Sequence, residues 1–372
     1  MLYNDIKNVL PRFRFEGRYE NCFEINSGNI NSTYHLIYRM SDGTPREYLL
    51  QRINSYAFKD PVAVMNNIRQ VSEYLEGIFR ERGVDSTRRM LRVIDCTDGS
   101  ALYQGADGSY WRAYNYIDHA TAYDQVIKDE HFYEAGRAFG EFQKLLTDFP
   151  AGKLVETIPD FHNTLKRFYT FVAAVAADKA GRVKDIEDEI EFFFDRRKMM
   201  SEIVKELDAG RLPVRVTHND TKINNVMIDD MTDKAICVID LDTVMPGSAL
   251  YDYGDAIRSG ASTAAEDEEN LSKVELDMNR FELFTRGFLS EVSGILTPRE
   301  LELLPASIKV ITCELAMRFL TDYIDGDLYF KVRSPEHNLI RARNQMKLLT
   351  DIESKYDLIT SRCRDIAAEY TK

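Results

Sequence analysis

One stretch of this 372-residue chain, residues 214–243, constrains the fold and the chemistry more than any other. It reads VRVTHNDTKINNVMIDDMTDKAICVIDLDT, and it places Asp220, then Asn225, then Asp240 among apolar residues. Three short apolar runs surround these positions, at residues 214–216, 226–228 and 235–239. The turn-rich sequence between the second and third runs predicts a β-hairpin. The base of that hairpin would bring the loop that carries Asp220 and Asn225 next to Asp240.

The spacing of these polar residues is that of a phosphoryl-transfer site. The protein-kinase catalytic loop reads H-R-D-x-x-x-x-N, and a second Asp follows on a nearby segment. This chain has His218-x-Asp220-x-x-x-x-Asn225 and then Asp240, although Asn219 replaces the Arg and no DFG follows. Asp and Asn also recur in loops because they cap turns. The hairpin and the second Asp at a suitable distance are what favour the catalytic interpretation.

The same stretch resembles the superfamily of aminoglycoside phosphotransferases and choline kinases, whose members carry H-x-D-x-x-x-x-N followed by I-D. More specifically, THNDTKINNVMID with VIDLDTVMPGSALYDYGDAIRSGA is similar to the N-acetylhexosamine 1-kinase group. Five further blocks share this similarity: GNINSTY, LLQRIN, YWRAYNYI, IPDFHNTLKRF and MRFLTDYIDGDLYF. The resemblance therefore covers most of the chain.

The resemblance implies a bilobal, protein-kinase-like α+β fold of the aminoglycoside phosphotransferase type. We expect a small β-rich lobe over residues 1–112, which would bind the nucleotide. A larger helical lobe over residues 113–372 would carry the catalytic hairpin and the substrate site. The length of 372 residues is long for one core and also favours two lobes. Asp60-Pro61 predicts the start of the helix of the small lobe, because a capping residue precedes proline at the first helical position.

The composition of the chain argues against several classes of binding partner. The formal net charge of -13 argues against nucleic-acid binding, which needs a basic surface. No apolar run approaches the roughly 20 residues that span a bilayer, and the first residues lack a secretory signal pattern. The five cysteines are scattered without a C-x-x-C pair, which is typical of a reducing cytosol and not of a disulfide framework or zinc site. We expect a cytoplasmic monomer or small homo-oligomer without a membrane partner.

The resemblance assigns ATP to the cleft between the lobes, with its phosphates under a polar loop made of Gly28, Asn29, Ile30, Asn31 and Ser32. Judged by composition alone, this loop is an ordinary hairpin turn. Arg52 is the basic residue of the third predicted strand, where kinases carry a phosphate-binding lysine. It would pair with Glu73 or Glu76 of the following helix, and a surface charge is the alternative interpretation.

Tyr114, Tyr116 and Ile117 form the predicted hinge between the lobes. Backbone groups there would bind the adenine edge, while aromatic and aliphatic side chains cover its faces. A buried strand with aromatic packing is the other interpretation of this segment, and the two are compatible.

The resemblance implies that ATP and Mg²⁺ phosphorylate the anomeric hydroxyl of a free N-acetylhexosamine. Asp220 would orient the hydroxyl and take its proton, while Asn225 and Asp240 would hold magnesium. The candidates for the sugar pocket lie in the shared blocks: Asp220, Thr243, Arg318 and Tyr329.

Two further residues, Arg318 and His162, have more than one interpretation, and Asp252 has one. Arg318 contacts the sugar or forms a buried salt bridge with a carboxylate such as Asp322. His162 is a site residue or the cap of the next helix. Asp252 is expected to steady the catalytic loop.

Two other functions stay open. A kinase of the same fold could act on choline, ethanolamine, homoserine or an aminoglycoside, and a choline pocket would need an aromatic cage. A pseudokinase would hold nucleotide without transferring phosphate. The presence of Asp220, Asn225 and Asp240 argues against the pseudokinase.

Overall fold

An antiparallel five-stranded sheet forms the N-terminal part of the computed structural model, which describes residues 6–25 and 31–370. Its strands are β1 (Arg18–Ile25), β2 (Ser32–Arg39), β3 (Pro45–Ile53), β4 (Tyr103–Gln104) and β5 (Tyr110–Asn115). They pair in the order β1-β2-β3-β5-β4. Alternate side chains of β2, Tyr34, Leu36 and Tyr38, are buried with the segment that begins at Ile6. This follows from the period of two in a strand, which puts every second side chain on the same face.

The other face of the sheet packs against helix α1 (Pro61–Glu81). Asp60 caps this helix by accepting the Ala63 N–H at 2.9 Å, and Pro61 follows it, as the sequence predicts. Met65, Ile68 and Leu75 recur at helical spacing on the buried side. The helix therefore supports this face of the sheet.

The hydrophobic cluster around α1 continues into the catalytic region. It joins Met65 of α1 and Tyr114 of β5 with Phe142, Leu241 and Val244 from the C-terminal part of the chain. The sheet and the catalytic loops therefore share one core and do not only touch at their surfaces.

The C-terminal region is mainly helical, and two small sheets interrupt it. Its strands are β6 (Ala120–Ala122), β7 (Arg215–Thr217), β8 (Val226–Asp229), β9 (Ala235–Val238) and β10 (Met245–Gly247). β8 and β9 pair antiparallel as the predicted hairpin, β6 joins β8 at its edge, and β7 pairs with β10. Ile239 follows the hairpin, so that the chain delivers Asp240 at its base.

Nine helices build the rest of this region among the described residues. They are α2 (Asp129–Leu145), α3 (Thr164–Ala177), α4 (Glu187–Met200), α5 (Glu202–Asp208), α6 (Ala249–Gly260), α7 (Met278–Val292), α8 (Pro298–Asp325), α9 (His337–Ser354) and α10 (Tyr356–Tyr370). In α8, Thr297 and Glu300 form a reciprocal capping box at the N-terminus, and Gly326 ends the helix in a left-handed conformation. Within the described ranges, no helix combines the length and the apolar character that crossing a membrane requires.

The prediction of an α+β, protein-kinase-like fold with a β-rich N-terminal part and a helical C-terminal part is confirmed. The expected lobe boundary between residues 112 and 113 falls inside β5, whose ladder with β3 continues to the pair Asn115 and Tyr48. We therefore propose that the boundary between the lobes follows Asn115.

Candidate active site

The catalytic loop connects β7 to β8 and presents the Asp220 carboxylate. Asn225 donates its side-chain N–H to the Asp220 carbonyl at 2.8 Å and to Oδ2 at 3.2 Å. The Lys222 ammonium lies 3.0 Å from Oδ1 of Asp220. Both carboxylate oxygens are thus held, and the side chain keeps 29% of its surface exposed toward the cleft.

The charge of Asp220 follows from these contacts. Desolvation by burial acts to raise its pKa, but the Lys222 ammonium and the Asn225 amide outweigh this and hold the pKa below its usual value. Asp220 is therefore ionised at neutral pH and able to accept a proton. Lys222, which was not singled out in the sequence, has its own pKa raised mainly by Asp220.

His218 ties the catalytic loop to the segment that carries Asp240. Its buried ring donates through Nε2 to the Ile239 carbonyl at 2.9 Å, and Nδ1 accepts the Asp220 N–H at 3.3 Å. These two bonds require the tautomer with hydrogen on Nε2. The ring therefore fixes the position of Asp220 relative to Asp240.

Asp252 steadies the same loop, as expected. This buried carboxylate on α6 accepts the His218 N–H at 3.0 Å, the Asn219 N–H at 2.7 Å and the Gln143 amide at 2.6 Å. Burial raises its pKa. Thr243, a predicted sugar ligand, donates its hydroxyl to the His218 carbonyl at 2.6 Å, so that it too braces the loop.

Two residues of the site adopt left-handed backbone conformations. The φ angles of Asn219 and Asp240 are 63° and 58°, a region that costs a non-glycine residue about 1 kcal/mol or more. The Asn219 side chain compensates by donating to the carbonyls of Thr243 at 2.9 Å and Thr217 at 3.2 Å. Such strained positions concentrate at functional sites.

Three carboxylates converge at the base of the hairpin: Asp220, Asp240 and Asp242. Asp240 is exposed, although the protein atoms around its carboxylate desolvate it in part. This desolvation, together with the charges of Asp242 and Asp220, raises the pKa of Asp240 to about 7. No described residue donates a hydrogen bond to the Asp240 carboxylate, whereas both oxygens of Asp242 are bonded. A bound cation would relieve the repulsion among the three groups.

The residues present fit magnesium. The Asp240 carboxylate and the side-chain oxygen of Asn225 are hard oxygen donors of the kind that Mg²⁺ prefers. Within residues 6–25 and 31–370, no group of three or more His, Cys, Asp or Glu side chains is arranged to hold a metal alone. Mg²⁺ in kinases is commonly bound through one or two protein ligands, with water and substrate phosphates as the others.

Arg112 of β5, which the sequence did not indicate, is a buried cation beside the site. Its guanidinium pairs with the Asp242 carboxylate, and the Nη2 to Oδ2 distance is 2.9 Å. Its Nε donates to the Gln51 side chain of β3 at 2.9 Å. Asn31 donates its amide to the same Asp242 carboxylate at 2.8 Å. The nucleotide side and the catalytic side of the cleft thus meet at Asp242.

The prediction for Arg52 requires correction. Gln51 points toward the cleft, so the next residue on the strand points to the opposite face. There the Arg52 guanidinium lies 6.0 Å from the centre of the Trp111 ring and 3.6 Å from Asp107, with half of the side chain exposed. Its predicted helix partners are also elsewhere, since Glu76 pairs with Arg92 at 3.1 Å and Glu73 is exposed.

The phosphate loop can be followed in part. Gly28, Asn29 and Ile30 lie outside the described residues. Asn31 accepts the Asn54 N–H at 3.0 Å in addition to its bond with Asp242, and Ser32 begins β2 opposite Arg52. Asn31 is therefore held at the inner end of the cleft.

The residues of the predicted hinge pack in the core and against the sheet. Tyr114 is buried, and its hydroxyl lies 3.8 Å from the Met65 sulfur, so its ring packs in the core. The Tyr116 ring stacks on His35 with ring centres 4.0 Å apart, and the Tyr116 N–H donates to the Glu47 carbonyl at 3.3 Å. Ile117 is buried, and among the described residues its N–H and carbonyl have no hydrogen-bond partner; that they bind an adenine stays a prediction.

Arg318 and Tyr329 come together in one cavity of about 150 Å³. Its lining includes Arg167, Met317, Arg318, Asp322, Tyr329 and Phe330. The Arg318 guanidinium lies 5.8 Å from the centre of the Tyr329 ring and 5.0 Å from that of Phe161. Its carboxylate neighbour is Glu314, at 3.8 Å, and not the Asp322 that the sequence suggested. Asp322 instead accepts the N–H groups of Leu328, Tyr329 and Phe330.

His162 connects this cavity to the catalytic loop. Its Nδ1 lies 3.1 Å from Glu314, and its Nε2 lies 3.4 Å from the Asn219 carbonyl. The cap of α3 is Asn163, whose side chain accepts the Lys166 N–H at 3.0 Å, so His162 is not that cap. His162 and Glu314 are more than 150 positions apart in sequence. The local sequence around either residue therefore could not predict their contact.

The chain matches a known protein family and several solved structures. Residues 22–281 match the phosphotransferase enzyme family, APH. Amicoumacin kinase, solved with AMP-PNP and Ca²⁺, has a TM-score of 0.60 at 13% identity over 95% of this chain and 93% of its own. An aminoglycoside phosphotransferase from Alicyclobacillus acidocaldarius has a TM-score of 0.58 at 12% identity, with 98% and 96% covered. Choline kinase from Cryptosporidium parvum has a TM-score of 0.56 at 13% identity, with 94% and 93% covered. The family match extends over more than half of the chain and includes the whole catalytic hairpin, and the chain therefore belongs to the phosphotransferase enzyme family.

Proposed function

We propose that this protein is an ATP- and Mg²⁺-dependent kinase that phosphorylates the anomeric hydroxyl of an N-acetylhexosamine, giving the sugar 1-phosphate. The observation that carries the proposal is the position of Arg318 and Tyr329, which line one cavity linked through Glu314 and His162 to Asn219, beside Asp220. Both residues lie in a sequence block that resembles the N-acetylhexosamine 1-kinases.

The chemistry would run through Asp220. Its ionised carboxylate, fixed by Asn225 and Lys222, accepts the proton of the attacking hydroxyl. Asn225 and Asp240 would hold magnesium, which when bound bridges the nucleotide phosphates and offsets developing negative charge. Lys222 adds a positive charge next to the nucleophile, where an incoming phosphoryl group would otherwise be repelled by Asp220. Phosphoryl transfer asks mainly for positioning and electrostatic stabilisation, so this set is sufficient.

The charge of the cavity favours a neutral acceptor over a cationic one. The Arg167 guanidinium donates to the Phe161 carbonyl at 3.2 Å and has no carboxylate within salt-bridge distance among the described residues. Asp322 is occupied by backbone N–H groups, and Asp325 lies 2.9 Å from Lys179. Arg318 has Glu314 3.8 Å away, so of the two guanidinium groups it is Arg167 whose charge would repel choline, ethanolamine or an aminoglycoside. Both groups can donate hydrogen bonds to the hydroxyls and the acetamide oxygen of a sugar.

A coupled ADP-release assay tests the proposal. ATP and Mg²⁺ would be supplied with N-acetylglucosamine, N-acetylgalactosamine, glucose, galactose, choline, ethanolamine, homoserine or kanamycin, and Asp220→Ala would serve as the blank. We expect turnover with the N-acetylhexosamines and none in the blank. Turnover confined to choline, homoserine or kanamycin would refute the sugar specificity. Silence with every acceptor, while nucleotide still binds, would favour a nucleotide-binding pseudokinase.

A further inference from the structure

A single hydrogen bond links the N-terminal region to the wall of the proposed acceptor cavity. The Tyr56 hydroxyl donates to the Leu328 carbonyl at 2.6 Å, across 272 positions of sequence. Tyr56 lies in the connection between β3 and α1, and Leu328 lies in the segment that follows α8. We call residues 327–330 the wall segment, because its Tyr329 and Phe330 line the cavity.

The wall segment is anchored on its own side by Asp322 of α8 and by Arg182, which lies between α3 and α4. The Asp322 carboxylate accepts the N–H groups of Leu328, Tyr329 and Phe330 at 2.8 to 2.9 Å. Asp327 pairs with Arg182 at 2.7 Å. These bonds use the backbone N–H groups of the wall segment. The Leu328 carbonyl is not part of them and accepts the Tyr56 hydroxyl.

Tyr56 is in turn connected to the catalytic carboxylates. The Tyr56 N–H donates to the Asn54 side chain at 3.0 Å, and the Asn54 N–H donates to Asn31 at 3.0 Å. Asn31 then donates to Asp242 at 2.8 Å, beside Asp240. A continuous series of hydrogen bonds through the turn at residues 54–56 therefore connects Leu328 in the wall segment with Asp242.

The hydrogen bond between Tyr56 and Leu328 can break easily, because both residues are exposed to water. Tyr56 and Leu328 are 57% and 62% exposed, so water competes for both partners of their hydrogen bond. The Lys59 ammonium lies 4.4 Å from the centre of the Tyr56 ring, and it favours this ring position without burying it. A bond of this kind adds little to the stability of the fold, but it can decide which of two loop positions is populated.

We propose that Tyr56 is a positioning residue that closes the acceptor cavity and couples acceptor binding to nucleotide binding. The inference rests on the proposed function for the identity of the acceptor. Nucleotide in the cleft orders Asn31 and the turn at Asn54, which holds the Tyr56 hydroxyl against Leu328. The wall segment then keeps Tyr329 in place for the acceptor. By linkage, each ligand would strengthen the binding of the other.

The variant Tyr56→Phe removes only the oxygen that makes this bond. The matched control is Tyr370→Phe, which removes the hydroxyl of a partly exposed tyrosine at the end of α10. With the acceptor that the wild type phosphorylates, we expect Tyr56→Phe to raise the acceptor KM about three- to tenfold, the effect of one such hydrogen bond, and to leave kcat within about twofold. The control should match the wild type. An unchanged acceptor KM, or a loss confined to kcat, would overturn the proposal.

Hydrogen exchange gives a readout that does not need turnover. The amides of Leu328, Tyr329 and Phe330 report opening of the wall segment. We expect AMP-PNP with Mg²⁺ to slow their exchange in the wild type and in Tyr370→Phe, but not in Tyr56→Phe. Equal slowing in all three proteins, or none in the wild type, would refute the coupling. A wild type that phosphorylates no acceptor would instead refute the proposed function, and the exchange result would still decide on Tyr56.

Discussion

Arg112 of β5 and Asp242 of the catalytic region form an ion pair with 1% and 4% of their side chains exposed, across 130 positions of sequence. The pair joins the sheet to the loop that follows Asp240. Two charges buried so completely are stable only together, because either one alone would be left without water or a partner. The pair therefore fixes how the sheet is placed over the catalytic loops.

Removing either charge of the pair between Arg112 and Asp242 should lower the stability of the fold. We expect Arg112→Met or Asp242→Asn to lower the free energy of unfolding by about 3–5 kcal/mol, as measured by urea denaturation. The double variant Arg112→Met, Asp242→Leu should recover part of the loss, because it removes both charges. Arg52→Ala is the matched control: it truncates a half-exposed arginine of the neighbouring strand and should change the free energy by less than about 0.5 kcal/mol. Equal losses from Arg52→Ala and Arg112→Met would contradict the assignment.

The acid limb of the pH profile should depend on Lys222. The pKa of Asp220 is depressed, so this carboxylate stays ionised as the pH falls below neutral. Lys222→Met removes the ammonium while burial continues to raise the pKa, so the loss of kcat/KM on acidification should begin at a higher pH. The control is Lys234→Met, whose partner is Glu134 at 2.9 Å on the far side of the hairpin. Superimposable profiles of kcat/KM against pH for all three proteins would exclude this role.

Magnesium dependence should follow Asn225 and Asp240. Asp240→Asn should lower kcat/KM by roughly two to four orders of magnitude, because a metal ion contributes several kcal/mol to the stabilisation of transition-state charge. Asn225→Ala should raise the Mg²⁺ concentration needed for half-maximal activity, and EDTA should abolish turnover in every variant. Asp230→Asn, on the exposed turn of the hairpin, should behave as the wild type. A wild-type Mg²⁺ response in Asp240→Asn would remove this residue from the metal site.

The acceptor cavity should respond to Arg318. Arg318→Ala should raise the acceptor KM about tenfold or more, since a hydrogen bond from a charged group contributes about 1.5–3 kcal/mol, while KM for ATP changes little. Arg333→Ala is the control, because Arg333 follows the wall segment closely but is 82% exposed and pairs with Asp267. Initial rates over a matrix of ATP and acceptor concentrations separate the two constants. A rise in KM for ATP alone would place Arg318 on the nucleotide side.

Local signals in the sequence were enough to predict the hairpin and its polar residues. A turn-rich stretch between two apolar runs specifies β8 and β9, and a cap followed by proline specifies the start of α1. The order His218, Asp220, Asn225 and Asp240 could be recognised because all four lie within one short stretch. Their contacts therefore depend on nearby sequence.

The charged partners of the site could not be predicted in the same way. Alternation along β3 shows that Gln51 and Arg52 face opposite sides, but only the packing of α1 tells which side is the cleft. Arg112 with Asp242, and His162 with Glu314, are brought together by the folding of distant segments. The kinase pattern of a basic residue on the third strand led to Arg52, whereas the arginine that pairs with Asp242 is Arg112 of β5.

The hydrophobic cluster around α1 has a consequence for how the molecule melts. It draws side chains from the sheet, from α1 and from the segment after Asp240, so unfolding of either region would expose part of this shared cluster. Two lobes with separate cores would melt in two steps. We expect the shared cluster to couple the unfolding of the sheet to that of the hairpin, so that both lose their order in one transition.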